Sequence, residues 1–107
     1  MIKNTMNTKT QALFKEVFEN VNYEKIILFG SRARGDFSEG SDHDVLIIVK
    51  KTLPVKEKMR LFTLMRRDLA KRGIDADIII KSTDEIEYYK NKIGNVVRTA
   101  MMEGVAL

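Results

Sequence analysis

Three short runs of aliphatic residues constrain the fold of this chain more than any other feature of its sequence. The runs KIILFG, DVLIIVK and IDADIII occupy residues 25–30, 44–50 and 74–80. Each has the length and the β-branched content of a buried strand. Residues 54–72, between the second and third runs, carry apolar side chains at helical spacing, which predicts an amphipathic helix. A helical crossover of this kind predicts that the second and third strands lie side by side or nearly so.

Helical patterns also flank the strands. Apolar spacing predicts a helix over residues 8–20 and a short helix over 83–91, the latter opened by a capping box of Ser82 and Glu85. Residues 31–43 are rich in Gly, Ser, Asp and Arg and predict a loop. A last helix is predicted from the stripe Ile93, Val96, Val97, Ala100 and Met101. The pattern favours one α/β (α+β) domain over residues 1–107, with a small sheet of three or more strands covered by helices.

Composition excludes several kinds of chemistry. The chain has no cysteine, which excludes disulfides, Cys-ligated zinc and thiol catalysis. Its single histidine excludes a multi-His metal site and argues against a Ser-His-Asp triad. No apolar run approaches the roughly 18 residues that a membrane span requires, and the first eleven residues lack the apolar stretch of a signal peptide. We therefore expect a cytoplasmic protein.

The net charge of +4 is too small to indicate a nucleic-acid-binding protein by itself. The charge is unevenly distributed, however, because residues 50–72 hold nine Lys and Arg against two acids, and the rest of the chain is net acidic. We interpret the basic segment as a solvated helix face. The alternative is a docking surface for RNA or for an acidic partner.

Two pairs of aspartates are the most informative polar residues. Asp42 and Asp44 open the second strand, and side chains two apart on a strand point to the same face. Such close carboxylates repel each other unless a cation lies between them, and Mg²⁺ prefers oxygen ligands of this kind. Asp75 and Asp77 repeat the pattern on the third strand, with Asp77 deeper in the apolar run. If the two strands are neighbours, Asp77 can reach the first pair and complete a site for phosphoryl transfer. The alternative is that these acids are only solvated or capping.

A Gly-Ser turn follows the first strand directly. Gly30 permits a sharp turn and close approach of an anion, and Ser31 adds a hydroxyl group. Arg32 and Arg34 could each pair with phosphate oxygens. His43 lies between the two aspartates of the second strand and therefore points to the opposite face, so we interpret it as a packing or surface residue.

The stretches Gly30-Ser31-Arg32-Ala33-Arg34-Gly35 and Ser41-Asp42-His43-Asp44-Val45-Leu46-Ile47 closely resemble the signature of the nucleotidyltransferase superfamily that has the DNA polymerase beta fold. The similarity is to the minimal nucleotidyltransferases (MNT), extends from about residue 12, and includes the tail over residues 93–104.

The resemblance assigns a role to each matching residue. It implies that Gly30 and Ser31 contact the nucleotide phosphates, and that Arg32 and Ser41 add further phosphate contacts. It also implies that the carboxylates ligate Mg²⁺, with two ions bound, and that the third one is the base toward the acceptor hydroxyl. We favour Asp77 over Asp75 for this third position, because the apolar run after Asp77 fits the pattern of the family better. The implied metal and catalytic residues are Asp42, Asp44 and Asp77.

The resemblance also implies an activity and a partner. The expected reaction transfers a nucleoside monophosphate, AMP from ATP, to a hydroxyl group. About 30 residues follow Asp77, too few for an acceptor-binding domain, so we expect an open acceptor site or an acceptor supplied by another chain, and the resemblance implies the latter. MNT proteins resemble antitoxins that pair with a HEPN ribonuclease and transfer AMP to its tyrosine. The alternative is an antitoxin that neutralises a HEPN partner by occlusion, without catalysis. A homo-oligomer is compatible with either function, and RNA binding through residues 50–72 is the least favoured reading.

Overall fold

The computed structural model describes residues 8–38 and 40–107. The predictions for the first seven residues and for Glu39 lie outside these residues. In the part that is described, no helix is long and apolar enough to cross a membrane. The elements in chain order are α1 (Thr8–Phe18), β1 (Tyr23–Phe29), α2 (Ser31–Arg34), β2 (His43–Val49), α3 (Val55–Lys71), β3 (Ala76–Ser82), α4 (Thr83–Tyr89), α5 (Val96–Glu103) and β4 (Val105–Ala106).

The strands form one mixed sheet in the order β3-β2-β1-β4. β2 and β3 are parallel neighbours, which confirms the crossover predicted from the helix between them. β1 pairs antiparallel with β2 and with β4. The end of β1 and the beginnings of β2 and β3 therefore lie at the same end of the sheet. Among the described residues, β3 is an edge strand.

Helices cover both faces of the sheet, as the α/β prediction requires. α1 and α3 pack on one face against alternating strand residues such as Ile26, Val45 and Ile78. α4 and α5 pack on the other face, where Ile27, Phe29, Leu46 and Ile48 meet side chains of the two helices. Because strand residues alternate between faces, the side chain of Asp44 lies on the same face as Leu46, on the α4/α5 side.

The described residues correct two of the sequence predictions and add a fourth strand, within the predicted three or more. The predicted loop over 31–43 contains the one-turn helix α2, and the sequence analysis missed the two-residue strand β4. The last helix begins at Val96 rather than near Ile93, because the Asn95 side chain accepts a hydrogen bond from the Val97 amide and caps the helix there. Of the predicted stripe, Ile93, Val96 and Met101 are exposed, and only Val97 and Ala100 are buried.

The capping box predicted for α4 is confirmed, and an ion pair connects it to α3. The Ser82 hydroxyl accepts from the Glu85 amide, and the Glu85 carboxylate accepts from the Ser82 amide. The same carboxylate pairs with Lys58 at 2.9 Å. Arg60 pairs with Glu57, and Arg72 pairs with Asp68 and Glu16. Several bases of the 50–72 segment are thus paired, which supports the interpretation of this segment as a solvated helix face.

Candidate active site

The parallel pairing of β2 with β3 brings two of the predicted carboxylates together. Asp44 and Asp77 are direct partners in the register of the two strands. Because both belong to one sheet, partners in register present their side chains on the same face. Asp44 is half-buried and Asp77 is exposed, so the pair lies at the surface where β2 and β3 begin. Asp42 precedes β2 and is exposed.

The pKa of Asp44 is raised above its usual value by burial and by neighbouring negative charges. Burial raises the pKa of this carboxyl most, and the charges of Asp77 and Asp42 raise it further. The Arg34 guanidinium lowers the same pKa, and Glu103 raises it slightly. The charges of neighbouring carboxylates thus disfavour ionisation of Asp44, and a cation bound beside it would relieve this repulsion.

Asp75 is placed differently from Asp77. It precedes β3, its side chain is exposed, and its backbone carbonyl accepts a hydrogen bond of 2.9 Å from the His43 amide. Its charge is not among those that raise the pKa of Asp44. The structure thus brings Asp77, rather than Asp75, beside Asp44.

Gly30 brings the turn after β1 against the same carboxylate. Its φ of +73° is in the left-handed region, and a Cβ placed on it would lie 2.2 Å from Asp44 Oδ2. A side chain is therefore excluded at this position both by the backbone conformation and by the space available. The turn and Asp44 form one site.

The one-turn helix α2 begins directly after Gly30. Its hydrogen bonds use the amides of Ala33, Arg34 and Gly35 as donors, and the amides of Ser31 and Arg32 take no part in them. Amides at the start of a helical turn that make no hydrogen bond within it can donate to an anion, and the half-buried Ser31 adds a hydroxyl donor.

Two residues that were predicted to contact phosphate, Arg32 and Ser41, form hydrogen bonds within the loop between α2 and β2. Arg32 donates from Nε and Nη2 to the Ser41 carbonyl at 3.2 and 3.0 Å, and its guanidinium lies 4.1 Å from the centre of the Phe37 ring. The Ser41 hydroxyl is 3.1 Å from that of Ser38. Arg32 and Ser41 thus brace the loop between α2 and β2, although a guanidinium has three further N–H donors available.

His43 occupies the face opposite the carboxylates. Its ring lies 5.5 Å from that of Phe14 on α1, and its Nδ1 is 3.3 Å from the Asp75 carbonyl. Burial lowers the pKa of this imidazole. The structure confirms that His43 packs on the other side of the sheet.

Sequence analysis missed one residue of the site. Glu103 Oε1 accepts hydrogen bonds from the Gly30 amide at 3.3 Å and from Arg34 Nη1 at 3.0 Å. Glu103 lies 73 positions from Gly30 in the chain, so no local spacing indicates the contact. The similarity of the C-terminal tail to the MNT proteins was the only signal that pointed to this part of the chain.

The carboxylates suit a magnesium ion that is bound together with a substrate. Across residues 8–38 and 40–107, no three acidic or histidine side chains are close enough to hold a metal by themselves. Mg²⁺ is usually held by one or two carboxylates, with water and substrate phosphates as the remaining ligands. The donor chemistry, the charge crowding at Asp44 and the open surface fit an ion of this kind.

Comparisons with known proteins find a matching family model and a similar sequence. A family model described as a nucleotidyltransferase domain matches residues 11–106. The chain is 44% identical over 73 residues to "Putative protein adenylyltransferase MJ0141" of Methanocaldococcus jannaschii, covering 62% of this chain and 74% of that protein.

Solved structures have the same fold. A crystal structure of a "putative nucleotidyltransferase" from Sulfolobus solfataricus has a TM-score of 0.61 at 26% identity, covering 99% of this chain and 87% of that one. A toxin-antitoxin structure with AMP-PNP has a TM-score of 0.62 at 16% identity, over 90% of this chain and 70% of that one. The MntA-HpeT toxin-antitoxin, in a double Asp-to-Glu variant, has a TM-score of 0.58 at 14% identity, over 94% and 72%.

Proposed function

The chain belongs to the nucleotidyltransferase domain family, and from this premise we propose that it transfers AMP from ATP, with Mg²⁺, to a hydroxyl group of a partner protein. The observation that carries the proposal is the packing of the Gly30 turn on Asp44, with Asp77 beside Asp44 in register. A phosphate-binding turn and a pair of carboxylates are the two parts that a metal-bound triphosphate requires. The name of the M. jannaschii relative supports the choice of adenylyl transfer to a protein.

Each part of the site has a proposed role. Gly30 and Ser31 hold the polyphosphate through the turn, and Arg34 supplies positive charge beside it. Asp42 and Asp44 hold Mg²⁺, with Asp77 as a further ligand. When bound, the metal neutralises the charge of the polyphosphate and of the leaving pyrophosphate. The rest of the rate enhancement comes from positioning.

Asp77 is the proposed base. The acceptor oxygen forms a bond to the α-phosphorus, the bond to the bridging oxygen of pyrophosphate breaks, and the hydroxyl proton passes to the carboxylate. Asp77 suits this step because it is exposed on β3, an edge strand of the sheet among the described residues. An acceptor on another protein can approach it from solvent there.

The proposed acceptor is a tyrosine of a HEPN toxin. The likeness to two toxin-antitoxin structures, one of them with AMP-PNP, supports a toxin partner and a nucleotide. A second candidate function follows from the same likeness: an antitoxin that inactivates its partner by occlusion, with a dispensable nucleotide site.

The mass of a co-expressed toxin distinguishes these two functions. We expect the partner purified with this protein to gain one or more AMP units in the presence of ATP and Mg²⁺, measured by intact-mass spectrometry. A protein that protects cells while leaving the partner's mass unchanged would support occlusion instead. An Asp42→Ala/Asp44→Ala double variant provides the control, because occlusion predicts that it still protects.

The two acids of the β3 segment offer a matched pair of variants. We expect Asp77→Asn to lower the rate of AMP transfer by about 10²-fold, because it removes a general base. Asp75→Asn removes the same charge two residues away, and we expect it to stay within about twofold of wild type, because Asp75 contributes a backbone carbonyl. Single-turnover transfer from labelled ATP measures both. Equal losses in the two variants would contradict the assignment of Asp77.

A further inference from the structure

Glu103 joins the two ends of α2 through a single carboxylate oxygen. Its Oε1 accepts from the amide of Gly30, which caps the start of α2, and from the guanidinium of Arg34, which is the last residue of that helix. A four-residue helix has little stability of its own. The contact therefore fixes α2 from outside.

Gly104 places Glu103 within reach of the turn. Glu103 ends α5, and the Gly104 amide donates to the Ala100 carbonyl at 2.8 Å. A Cβ on Gly104 would lie 2.2 Å from Ile27 Cγ2 and 2.3 Å from the Ala100 carbonyl oxygen. The missing side chain thus allows the end of α5 to approach β1, the strand that leads into Gly30.

Arg34 depends on its partners for its position. Its side chain is 48% exposed and also pairs with Asp36, at 3.2 Å. Asp36 is 62% exposed, whereas Glu103 is 31% exposed. Asp36 raises the pKa of Arg34 more than Glu103 does, but of these two carboxylates Glu103 is the one that also binds the Gly30 amide.

We propose that Glu103 is a positioning residue, which holds the Gly30 turn and the Arg34 guanidinium in the orientation that receives the nucleotide polyphosphate. The inference rests on the proposed function, because that function supplies the polyphosphate. Glu103 acts through Gly30 and Arg34, since a carboxylate repels phosphate and gains nothing from direct contact with it.

Three variants test this role. Glu103→Ala removes both hydrogen bonds, and we expect the Kd of ATP with Mg²⁺ to rise by about tenfold, the usual effect of losing a hydrogen bond to a charged group. Glu103→Gln keeps an acceptor of the same shape, and we expect the Kd to stay within about threefold of wild type. Asp36→Asn removes a charge from the same arginine without touching Gly30, and we expect a change below about twofold. Isothermal titration calorimetry measures all three.

Two further measurements separate positioning from a general structural effect. Mn²⁺ binding without nucleotide, which depends mainly on the aspartates, should weaken by less than about twofold in Glu103→Ala, because the charge of Glu103 is the last of the charges that raise the pKa of Asp44. In ligand-free protein, the NMR signal of the Gly30 amide, which donates to Glu103, should shift in Glu103→Ala, and Glu103→Gln should restore it. The NMR measurement requires no nucleotide.

The outcomes are distinguishable. An ATP affinity in Glu103→Ala that equals or exceeds that of wild type overturns the inference, as does an unshifted Gly30 signal or a parallel loss of Mn²⁺ binding. A wild-type protein that binds no ATP overturns the proposed function and the polyphosphate part of this inference. The NMR shifts then decide whether Glu103 holds the turn.

Discussion

Replacing Asp44 by Asn is expected to reduce AMP transfer by about 10³-fold or more. Asp44 is the half-buried member of the carboxylate cluster and the direct neighbour of both Asp77 and the Gly30 turn. The variant keeps the shape of the side chain but removes a charged ligand. The charge stabilisation that a bound metal supplies is worth several kcal/mol, and each 1.36 kcal/mol is about a tenfold change in rate.

The same variant should not weaken the fold. The raised pKa of Asp44 means that the folded protein disfavours the ionised carboxylate relative to the unfolded chain. The stability linked to this group is thus greatest at low pH and falls as pH rises through the folded pKa. A neutral Asn removes the repulsion from Asp77 and Asp42, so we expect the metal-free variant to melt at or above the temperature of wild type.

Calorimetry with ATP and Mg²⁺, a transfer assay and a melting curve together check this prediction. Asp36→Asn is the matched control, since Asp36 is exposed and reaches the site only through its pair with Arg34. Unchanged nucleotide binding in Asp44→Asn would count against the active site proposed here. A much lower melting temperature in that variant would show that the carboxylate has a structural role instead.

Replacing Gly30 by Ala should abolish nucleotide binding and destabilise the fold. With a φ of +73° and a ψ of −158°, Gly30 has a conformation that is almost confined to glycine, and holding another residue there costs roughly 1–3 kcal/mol. The new methyl group would also meet Asp44 Oδ2 at 2.2 Å, and overpacking of this kind costs typically 1–3 kcal/mol. Either the turn or the Asp44 side chain must then move, and both movements separate the proposed phosphate contact from the proposed metal ligand.

Gly73→Ala is the control that separates the effect of a positive φ from the effect of the steric clash. Gly73 has a φ of +78°, close to that of Gly30, and no heavy atom lies within 4 Å of a Cβ built on it. We expect this control to show the cost of a positive φ without a steric clash, with ATP affinity unchanged. Urea unfolding and calorimetry measure the two effects. Equal destabilisation of both variants, with ATP binding retained in Gly30→Ala, would refute the close approach of the turn to Asp44.

The local pattern of the chain was sufficient to predict most of the elements. The three apolar runs, the amphipathic helix between the last two of them, and the Ser82–Glu85 capping box each depend on residues that are near one another in sequence. Side-chain alternation also placed His43 on the face opposite the carboxylates. The apolar spacing from Ile93 to Met101 gave a wrong start for the last helix, because the prediction did not take Asn95 as the residue that caps it.

The candidate site residues could be recognised from the chain alone: a glycine-serine turn and two pairs of aspartates at the beginnings of buried runs. Which of them lie close together depends on the three-dimensional fold. The resemblance favours Asp77 over Asp75, but the position of Asp77 beside Asp44 follows from the register of β3 against β2, and the contact of Glu103 follows from the approach of α5 to β1. Register and helix approach depend on packing between segments far apart in the chain, and periodicity within one segment carries no information about that packing.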